Sequence, residues 1–169
     1  MIKLPEQNSN NEHIEVLSSE QFQQLLNFWQ SYPDPQLSNL HQFIGGTGSR
    51  PLEGLKLPWK NVELIRVNYT KRDTKNYKTL LQPMNEKVRG VLVQQMELLN
   101  NSSAEMEESP TVFQASDSEL SRLDILKKKF SQLKNLANIP KEFRLNYCLR
   151  GTVASTMLSN EAKLAEVAH

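Results

Sequence analysis

Three short stretches of the sequence each carry a cationic side chain in a context that suits chemistry on an anion. They are Thr-Gly-Ser-Arg-Pro-Leu-Glu at residues 47–53, Thr-Lys-Asn-Tyr-Lys at 74–78 and Leu-Arg-Gly-Thr-Val-Ala-Ser at 149–155. Arg50 and Arg150 offer planar guanidiniums that can pair with two oxygens at once, whereas Lys75 offers a compact charge with three donors. Side chains of these types that meet at one point form a site for a single phosphate diester.

The first arginine has a candidate partner close by in the sequence. Glu53 lies three residues after Arg50, at the start of a short predicted helix, so its carboxylate can hold the guanidinium in one orientation. The spacing alone favours an ordinary surface ion pair, which contributes at most about 1 kcal/mol. A functional role for Arg50 and Glu53 therefore depends on the motif in which the pair lies and not on its spacing.

The lysine lies near the tip of a predicted β-hairpin. A protonated amine on such an arm can give a proton to a departing alkoxide oxygen. Lys71, Arg72 and Lys78 belong to the same charged segment. The residue types therefore do not distinguish Lys75 from an ordinary solvated lysine, and Lys71 is the alternative proton donor.

Length and composition set bounds on the class of protein. The chain has 169 residues and a net charge of +1, so its overall charge does not indicate a nucleic-acid binder. The single Cys148 excludes an internal disulfide, and three scattered histidines give no metal-ligand spacing, so we expect no metal and no cofactor. No apolar run reaches the roughly 20 residues of a membrane span, and no secretory signal is visible. We expect a cytoplasmic protein with no membrane partner.

Hydrophobic periodicity predicts a mainly α fold with a small antiparallel β-sheet (α+β). Ser18 and Gln21 form a predicted capping box at the start of the first helix. Further helices are predicted over residues 36–44, from 85, over 123–133, over 147–158 and, separately, from 161. Strands are predicted over 62–69 and 79–83. Residues 1–16 are polar and are predicted to be a linker or disordered tail, with one domain over 17–169.

The three stretches, in this order, resemble the motifs of the tyrosine recombinase catalytic domain, which defines the phage integrase family. Thr-Gly-x-Arg-x-x-Glu at 47–53 resembles the first box, and residues 74–84 are similar to the Thr-Lys-x-x-Lys…Pro-Leu hairpin. Arg, Thr, Ala and Ser between Arg150 and Ser155 match the box His-x-x-Arg-His-Thr-x-Ala-Ser. Tyr147 stands at the first histidine of that box and Gly151 at the second, which are departures from the pattern.

The resemblance implies a role for each residue in site-specific DNA recombination without metal or cofactor. It implies that Arg50 and Arg150 clamp the scissile phosphate and that Glu53 supports Arg50. Lys75 would protonate the leaving 5′ oxygen, and Tyr147 would donate a hydrogen bond in place of the histidine. The remaining implied DNA contacts are Lys71, Arg72 and Lys78. The implied partners are double-stranded DNA and, in the full-length protein, other recombinase protomers, in the nucleoid region of a bacterial cytoplasm.

The nucleophile of the family is a tyrosine that lies beyond the second arginine. The tyrosines of this sequence are Tyr32, Tyr69, Tyr77 and Tyr147, and none follows Arg150. We therefore expect residues 17–169 to be an incomplete catalytic domain that is inactive alone, monomeric and weak in DNA binding.

Other functions fit the same residues. The departures at Tyr147 and Gly151 suit a non-catalytic DNA-binding protein, such as a decayed integrase that occupies a site. A type IB topoisomerase, which shares fold and chemistry with the recombinases, is a more distant alternative. A helical interaction domain with no nucleic-acid partner is the plainest one.

Overall fold

A computed structural model describes residues 15–72, 79–101, 111–113 and 119–167 of the chain. Within these residues the elements follow one another as six helices and three strands. The helices are α1 (Ser19–Gln30), α2 (Pro35–Thr47), α3 (Pro51–Leu55), α4 (Glu86–Asn101), α5 (Glu119–Leu136) and α6 (Leu145–Val167), and the strands are β1 (Val62–Glu63), β2 (Asn68–Arg72) and β3 (Thr79–Pro83). The mainly α fold with one small antiparallel sheet is confirmed.

Side chains cap the first two helices as their residue types predict. The Ser18 hydroxyl accepts from the Gln21 backbone N–H, and the Gln21 side chain accepts from the Ser18 N–H, which completes the predicted capping box. Asp34 caps α2 by accepting from the backbone N–H groups of Gln36 and Leu37, with Pro35 in the first helical position. Both caps fix the start of a helix that leads toward the core.

Helix α2 lies at the centre of the molecule and packs against α1, α3, α4, α5 and α6. The prediction that this helix ends at Ile44 is wrong, because it continues through Gly45 and Gly46 to Thr47. A β-carbon on Gly46 would lie 2.6 Å from Val88 Cγ2 on α4, and one on Gly45 would lie 3.5 Å from the Phe22 ring. These glycines allow close helix packing rather than a break.

The sheet has the strand order β1-β2-β3 and is antiparallel throughout. The long pairing of β2 with β3, from Asn68↔Pro83 to Arg72↔Thr79, confirms the predicted hairpin. A single strand over 62–69 was the wrong prediction, because residues 64–67 form a turn with Val67 at a φ of 55°. The turn is held from outside: the Val67 carbonyl accepts from the Met84 N–H, and the Leu64 carbonyl accepts from Arg89 Nε.

The last helix differs from its prediction in both bounds and continuity. α6 begins at Leu145 and runs to Val167 without the break that was expected between residues 158 and 161. Cys148 and Leu149 are buried on one side of its first turns, whereas Met157 and Leu158 are exposed. The helix thus has packed first turns, which contain Arg150, and exposed side chains over residues 156–160.

The core is one continuous apolar cluster around α2. Its largest fully buried side chains include Trp29, Phe43 and Phe113. A group of amides is buried within it: Asn39 donates to Gln95 Oε1, and Gln95 Nε2 donates to the Val112 carbonyl. Because buried polar groups are costly unless paired, these bonds fix the position of α2 against α4.

Candidate functional site

The first arginine lies directly after the C-terminus of α2. Gly48 ends the helix in the left-handed region, at a φ of 66°, which glycine adopts without steric cost. The chain then turns so that the Arg50 backbone N–H donates to Glu53 Oε2 at 2.9 Å, while Arg50 Nη1 lies 3.4 Å from Glu53 Oε1. Glu53 therefore holds both the backbone and the guanidinium of Arg50, and the arginine side chain is 45% exposed.

A chain of hydroxyl groups supports this turn from beneath. The Tyr69 hydroxyl on β2 lies 3.3 Å from Ser49 Oγ, which lies 2.9 Å from Thr47 Oγ1. The Thr47 hydroxyl is 2.7 Å from the Phe43 carbonyl. Ser49 and Tyr69 are each only 2% exposed, and burial raises the pKa of the Tyr69 phenol. Tyr69 is thus a protonated phenol whose hydroxyl group ties the Arg50 turn to the sheet.

Lys71 reaches the same carboxylate from the sheet. Its Nζ lies 3.8 Å from Glu53 Oε2, and its side chain is 25% exposed. Glu53 therefore lies between Arg50 and Lys71, and it holds the two cations on one side of the molecule. All three residues could be named from the sequence, but only the pairing of Glu53 with Arg50 was predicted. The sheet register that brings Lys71 to Glu53 is not visible in the sequence.

The second arginine motif packs directly on the first. A β-carbon on Gly48 would lie 3.4 Å from Val153 Cβ and 3.7 Å from Arg150 Cα. The turn before Arg50 therefore touches the backbone of α6 at the residue that carries the second guanidinium. Arg150 itself is exposed. The structure thus brings the Arg50, Lys71 and Arg150 segments close to one another in the fold.

Tyr147 lies one helical turn before Arg150 on α6, so the two side chains emerge on the same side of the helix. It is 55% exposed. The Arg144 guanidinium lies over its ring, with Cζ 3.9 Å from the ring centroid. Arg144 is in turn held by Glu15, whose carboxylate accepts from the Arg144 backbone N–H and from Nε at 3.3 Å.

Arg144 and Glu15 were missed by the sequence analysis. Neither lies within a motif, and their contact joins residues that are 129 positions apart. Thr152 makes a second link between the same two segments. Its buried hydroxyl accepts from the Leu17 N–H at 2.9 Å and donates to the Cys148 carbonyl at 2.6 Å. A residue that belongs to the second arginine motif thus also anchors the segment before α1.

Some predicted site residues cannot be placed. Lys75, Lys78 and the side chain of Arg72 lie outside the described residues. Among the residues that are described, no group of three or more His, Cys, Asp or Glu side chains could hold a metal ion. None of the helices in the described ranges combines the length and apolarity that a bilayer-spanning segment needs.

The fold is that of recombinase catalytic domains. The structure of XerA recombinase superposes with a TM-score of 0.65 at 21% identity, over 86% of this chain and 51% of that one. The catalytic domain of bacteriophage HP1 integrase gives 0.60 at 20% identity, over 87% and 73% of the two chains. XerH recombinase bound to its difH substrate gives 0.66 at 16%, over 90% and 45%.

These structures share the fold at low identity, and the present chain spans about half the length of XerA recombinase. No curated protein matches the sequence. The family model described as the phage integrase family matches residues 15–169. The chain therefore belongs to the phage integrase family, and the resemblance noted from its three motifs is confirmed.

Proposed function

We propose that this chain provides the phosphate-binding part of a tyrosine recombinase active site, which acts on double-stranded DNA in site-specific recombination and integration. The observation that carries the proposal is the close approach of the Gly48 turn to the Arg150 backbone, where a β-carbon on Gly48 would lie 3.7 Å from Arg150 Cα. It joins two arginine motifs about a hundred positions apart in the sequence, next to a lysine that shares Glu53 with Arg50. The structural neighbours include a transposon Tn1549 integrase in complex with circular intermediate DNA, which agrees with DNA as the partner.

In the proposed reaction the protein stabilises the negative charge that develops on the phosphate oxygens. Arg50 and Arg150 pair with the non-bridging oxygens and neutralise the charge that grows in the pentavalent transition state. A lysine of the hairpin protonates the leaving 5′ oxygen, which would otherwise depart as a poor alkoxide. The family resemblance assigns that step to Lys75. Lys71, whose ammonium is paired with Glu53, then serves as a further DNA contact and as the alternative acid.

The nucleophile of the proposed reaction has no candidate in this chain. None of its tyrosines follows Arg150, and Tyr69 is buried beneath the Arg50 turn. Tyr147 is exposed but occupies the position of a hydrogen-bond donor to the phosphate. We therefore propose that residues 1–169 bind DNA as a monomer without forming a covalent phosphotyrosyl link, and that strand exchange needs a tyrosine supplied from elsewhere, together with other protomers.

The proposal is tested by the salt dependence of DNA binding. The measurement is fluorescence anisotropy of a labelled duplex of about 20 base pairs, titrated with the protein at several salt concentrations between roughly 50 and 200 mM. Arg50→Ala and Arg150→Ala should each weaken binding and reduce the slope of log K against log salt by about one, because each removes one phosphate contact.

The matched control is Arg66→Ala. Arg66 lies in the turn before β2, at the opposite end of that strand from Lys71. Its side chain is 77% exposed and pairs with Glu63 on β1. This change removes the same charge, yet the slope should stay at its wild-type value. If Arg50→Ala, Arg150→Ala and Arg66→Ala all reduce the slope equally, binding is diffuse and the proposed phosphate site is wrong.

A second function is favoured by one observation, the tyrosine at position 147. A phenol hydroxyl can donate a hydrogen bond to a phosphate oxygen but is a poor proton acceptor, unlike the histidine of the family motif. The second candidate is therefore a non-catalytic DNA-binding protein that occupies a site without cleaving it. Trapping on a nicked duplex separates the two functions, provided that the chain is extended to include a tyrosine beyond Arg150. A covalent 3′ adduct supports the recombinase, and tight binding without an adduct supports the second candidate.

A further inference from the structure

The segment before α1 is joined to the start of α6, the helix that carries the second arginine motif, by two independent contacts. The first runs from the Glu15 carboxylate to the Arg144 backbone N–H and Nε. The second runs from the Leu17 N–H to the buried Thr152 hydroxyl at 2.9 Å. Both ends of the second contact are well buried, with Leu17 at 4% and Thr152 at 7% exposure. The segment is thus fixed to the N-terminal half of α6.

Glu15 is well placed to hold Arg144 in one position. Its side chain is 11% exposed, whereas that of Arg144 is 64% exposed. The carboxylate also lies at the N-terminus of a helix of 23 residues, where negative charge is stabilised by the unpaired backbone N–H groups. The pair therefore differs from an ordinary surface ion pair, because one partner is largely withdrawn from solvent and satisfies a helix terminus.

Arg144 in turn restricts the tyrosine. Its guanidinium lies over the Tyr147 ring, with Cζ 3.9 Å from the ring centroid. Such contacts are favourable because the ring face is electron-rich. Tyr147 is 55% exposed, and its contact with the Arg144 guanidinium limits the rotation of its side chain. An exposed tyrosine without it would lose rotamer entropy each time its hydroxyl bound a phosphate.

We propose that Arg144, held by Glu15, is a positioning residue that fixes Tyr147 in the orientation in which its hydroxyl donates to the bound phosphate diester. This proposal rests on the proposed phosphate site. It adds that the absence of the family's histidine is offset by the guanidinium of Arg144, which lies over the Tyr147 ring. Tyr147 touches the phosphate, and Arg144 acts through Tyr147.

The test is a double-mutant cycle read by duplex DNA binding. Tyr147→Phe removes only the hydroxyl, so it should weaken binding about fivefold, the loss of roughly one net hydrogen bond. Its salt slope should not change, since no charge is lost. In an Arg144→Met background, which removes the guanidinium but keeps the length of the side chain, Tyr147→Phe should have almost no further effect.

The matched control background is Lys141→Met. Lys141 is an exposed cation three residues before Arg144, and no contact of its side chain with Tyr147 is observed. There Tyr147→Phe should still cost about fivefold, as for the loss of one hydrogen bond. Equal effects of Tyr147→Phe in the wild-type, Arg144→Met and Lys141→Met backgrounds would overturn the positioning role.

A readout without DNA gives a second test. With selectively ¹³C-labelled tyrosine rings, the Tyr147 resonance should shift in Arg144→Met and in Glu15→Gln, and should stay in place in Lys141→Met. Thermal unfolding midpoints of the same variants identify any that fail to fold. An unmoved Tyr147 resonance in folded Arg144→Met would also overturn the proposal.

The failure of this inference and that of the phosphate site are distinguishable. If Arg50→Ala and Arg150→Ala reduce the salt slope but the Tyr147 cycle shows no coupling, the phosphate site stands and the positioning role is wrong. If the arginine variants leave the slope unchanged, the phosphate site itself is wrong. In that case the ring resonance still reports whether Arg144 orders Tyr147.

Discussion

At the scale of single residues, the positions of Arg50 and Lys71 depend on the groups that lie beside and beneath them. Glu53 orients two cations at once, and the Tyr69 hydroxyl supports the turn that presents Arg50. The hydroxyl groups of Tyr69, Ser49 and Thr47 lie within hydrogen-bonding distance of one another in turn, and Thr47 Oγ1 also contacts the Phe43 carbonyl. Removal of the Tyr69 hydroxyl leaves the buried Ser49 hydroxyl with one hydrogen-bond partner fewer.

Tyr69→Phe tests this support. The variant should lower the free energy of unfolding by about 1 kcal/mol, the usual net value of one buried hydrogen bond. Urea unfolding at neutral pH measures it. Tyr32→Phe is the matched control, because Tyr32 packs among Phe28 and Trp29 and its hydroxyl makes no hydrogen bond to the part of the chain that the structure describes. It should leave stability nearly unchanged, and equal losses in both variants would argue against the hydroxyl chain.

The sequence indicated the cations of the candidate site but not the groups that hold them. Arg50, Lys71 and Arg150 could be named from residue type and motif context. The sharing of Glu53 with Lys71 depends on the register of β2, and the link from Glu15 through Arg144 to Tyr147 depends on packing across the whole chain. Neither is encoded in local spacing, so motif reasoning could not find them.

At the scale of elements, the starts of α1 and α2 were predicted well, whereas the continuations of α2 and α6 were not. The caps at Ser18 and Asp34 are local hydrogen bonds, and local sequence specifies them. Helix α2 runs through Gly45 and Gly46 because tertiary packing against Phe22 and Val88 outweighs the low helix propensity of glycine. The turn at residues 64–67 likewise interrupts a β-branched stretch, because Met84 and Arg89 bind its carbonyls from outside.

Two glycine substitutions test this account of packing. Gly46→Ala should destabilise the protein by about 1 to 3 kcal/mol, because its β-carbon would lie 2.6 Å from Val88 Cγ2 between α2 and α4. Gly90→Ala, on α4, meets no atom within 4 Å and should stabilise the helix by roughly 0.5 to 1 kcal/mol. Denaturant unfolding of both variants gives the comparison. Destabilisation by Gly90→Ala, or none by Gly46→Ala, would contradict the contacts described here.

At the scale of the whole molecule, the core contains a histidine that makes it sensitive to acid. His41 is 1% exposed, and its ring stacks on Trp29 with centroids 4.9 Å apart. Neither ring nitrogen has a hydrogen-bond partner within the described residues. Burial lowers the pKa of His41 from 6.5 to about 3. The imidazole is therefore neutral in the folded protein, where it acts as an apolar ring.

This lowered pKa predicts how stability changes with pH. Above pH 6.5 both the folded and the unfolded chain carry a neutral His41. As the pH falls below 6.5, the unfolded chain binds a proton that the folded chain excludes until about pH 3. The free energy of unfolding should therefore fall by about 1.4 kcal/mol per pH unit in this range, or about 2 kcal/mol by pH 5.

His41→Phe is the control for the acid effect. It keeps an aromatic ring on Trp29 and removes two unpartnered nitrogens, so it should fold and should lose this part of the pH dependence. Urea unfolding of both proteins at about pH 7 and pH 5 measures the difference. An equal loss of stability in wild type and His41→Phe would mean that other groups cause the acid sensitivity.

The contact of Gly48 with Arg150 has a consequence for the timing of synthesis. Gly48 and Arg150 are separated by about a hundred positions, which a ribosome translates in roughly 5 to 20 seconds. During that interval a nascent chain already carries the Arg50 turn, yet it has no second guanidinium to pack beside it. In the proposed function, affinity for a phosphate diester therefore arises only once α6 has emerged from the ribosome, and capture by DNA follows that step rather than competing with it.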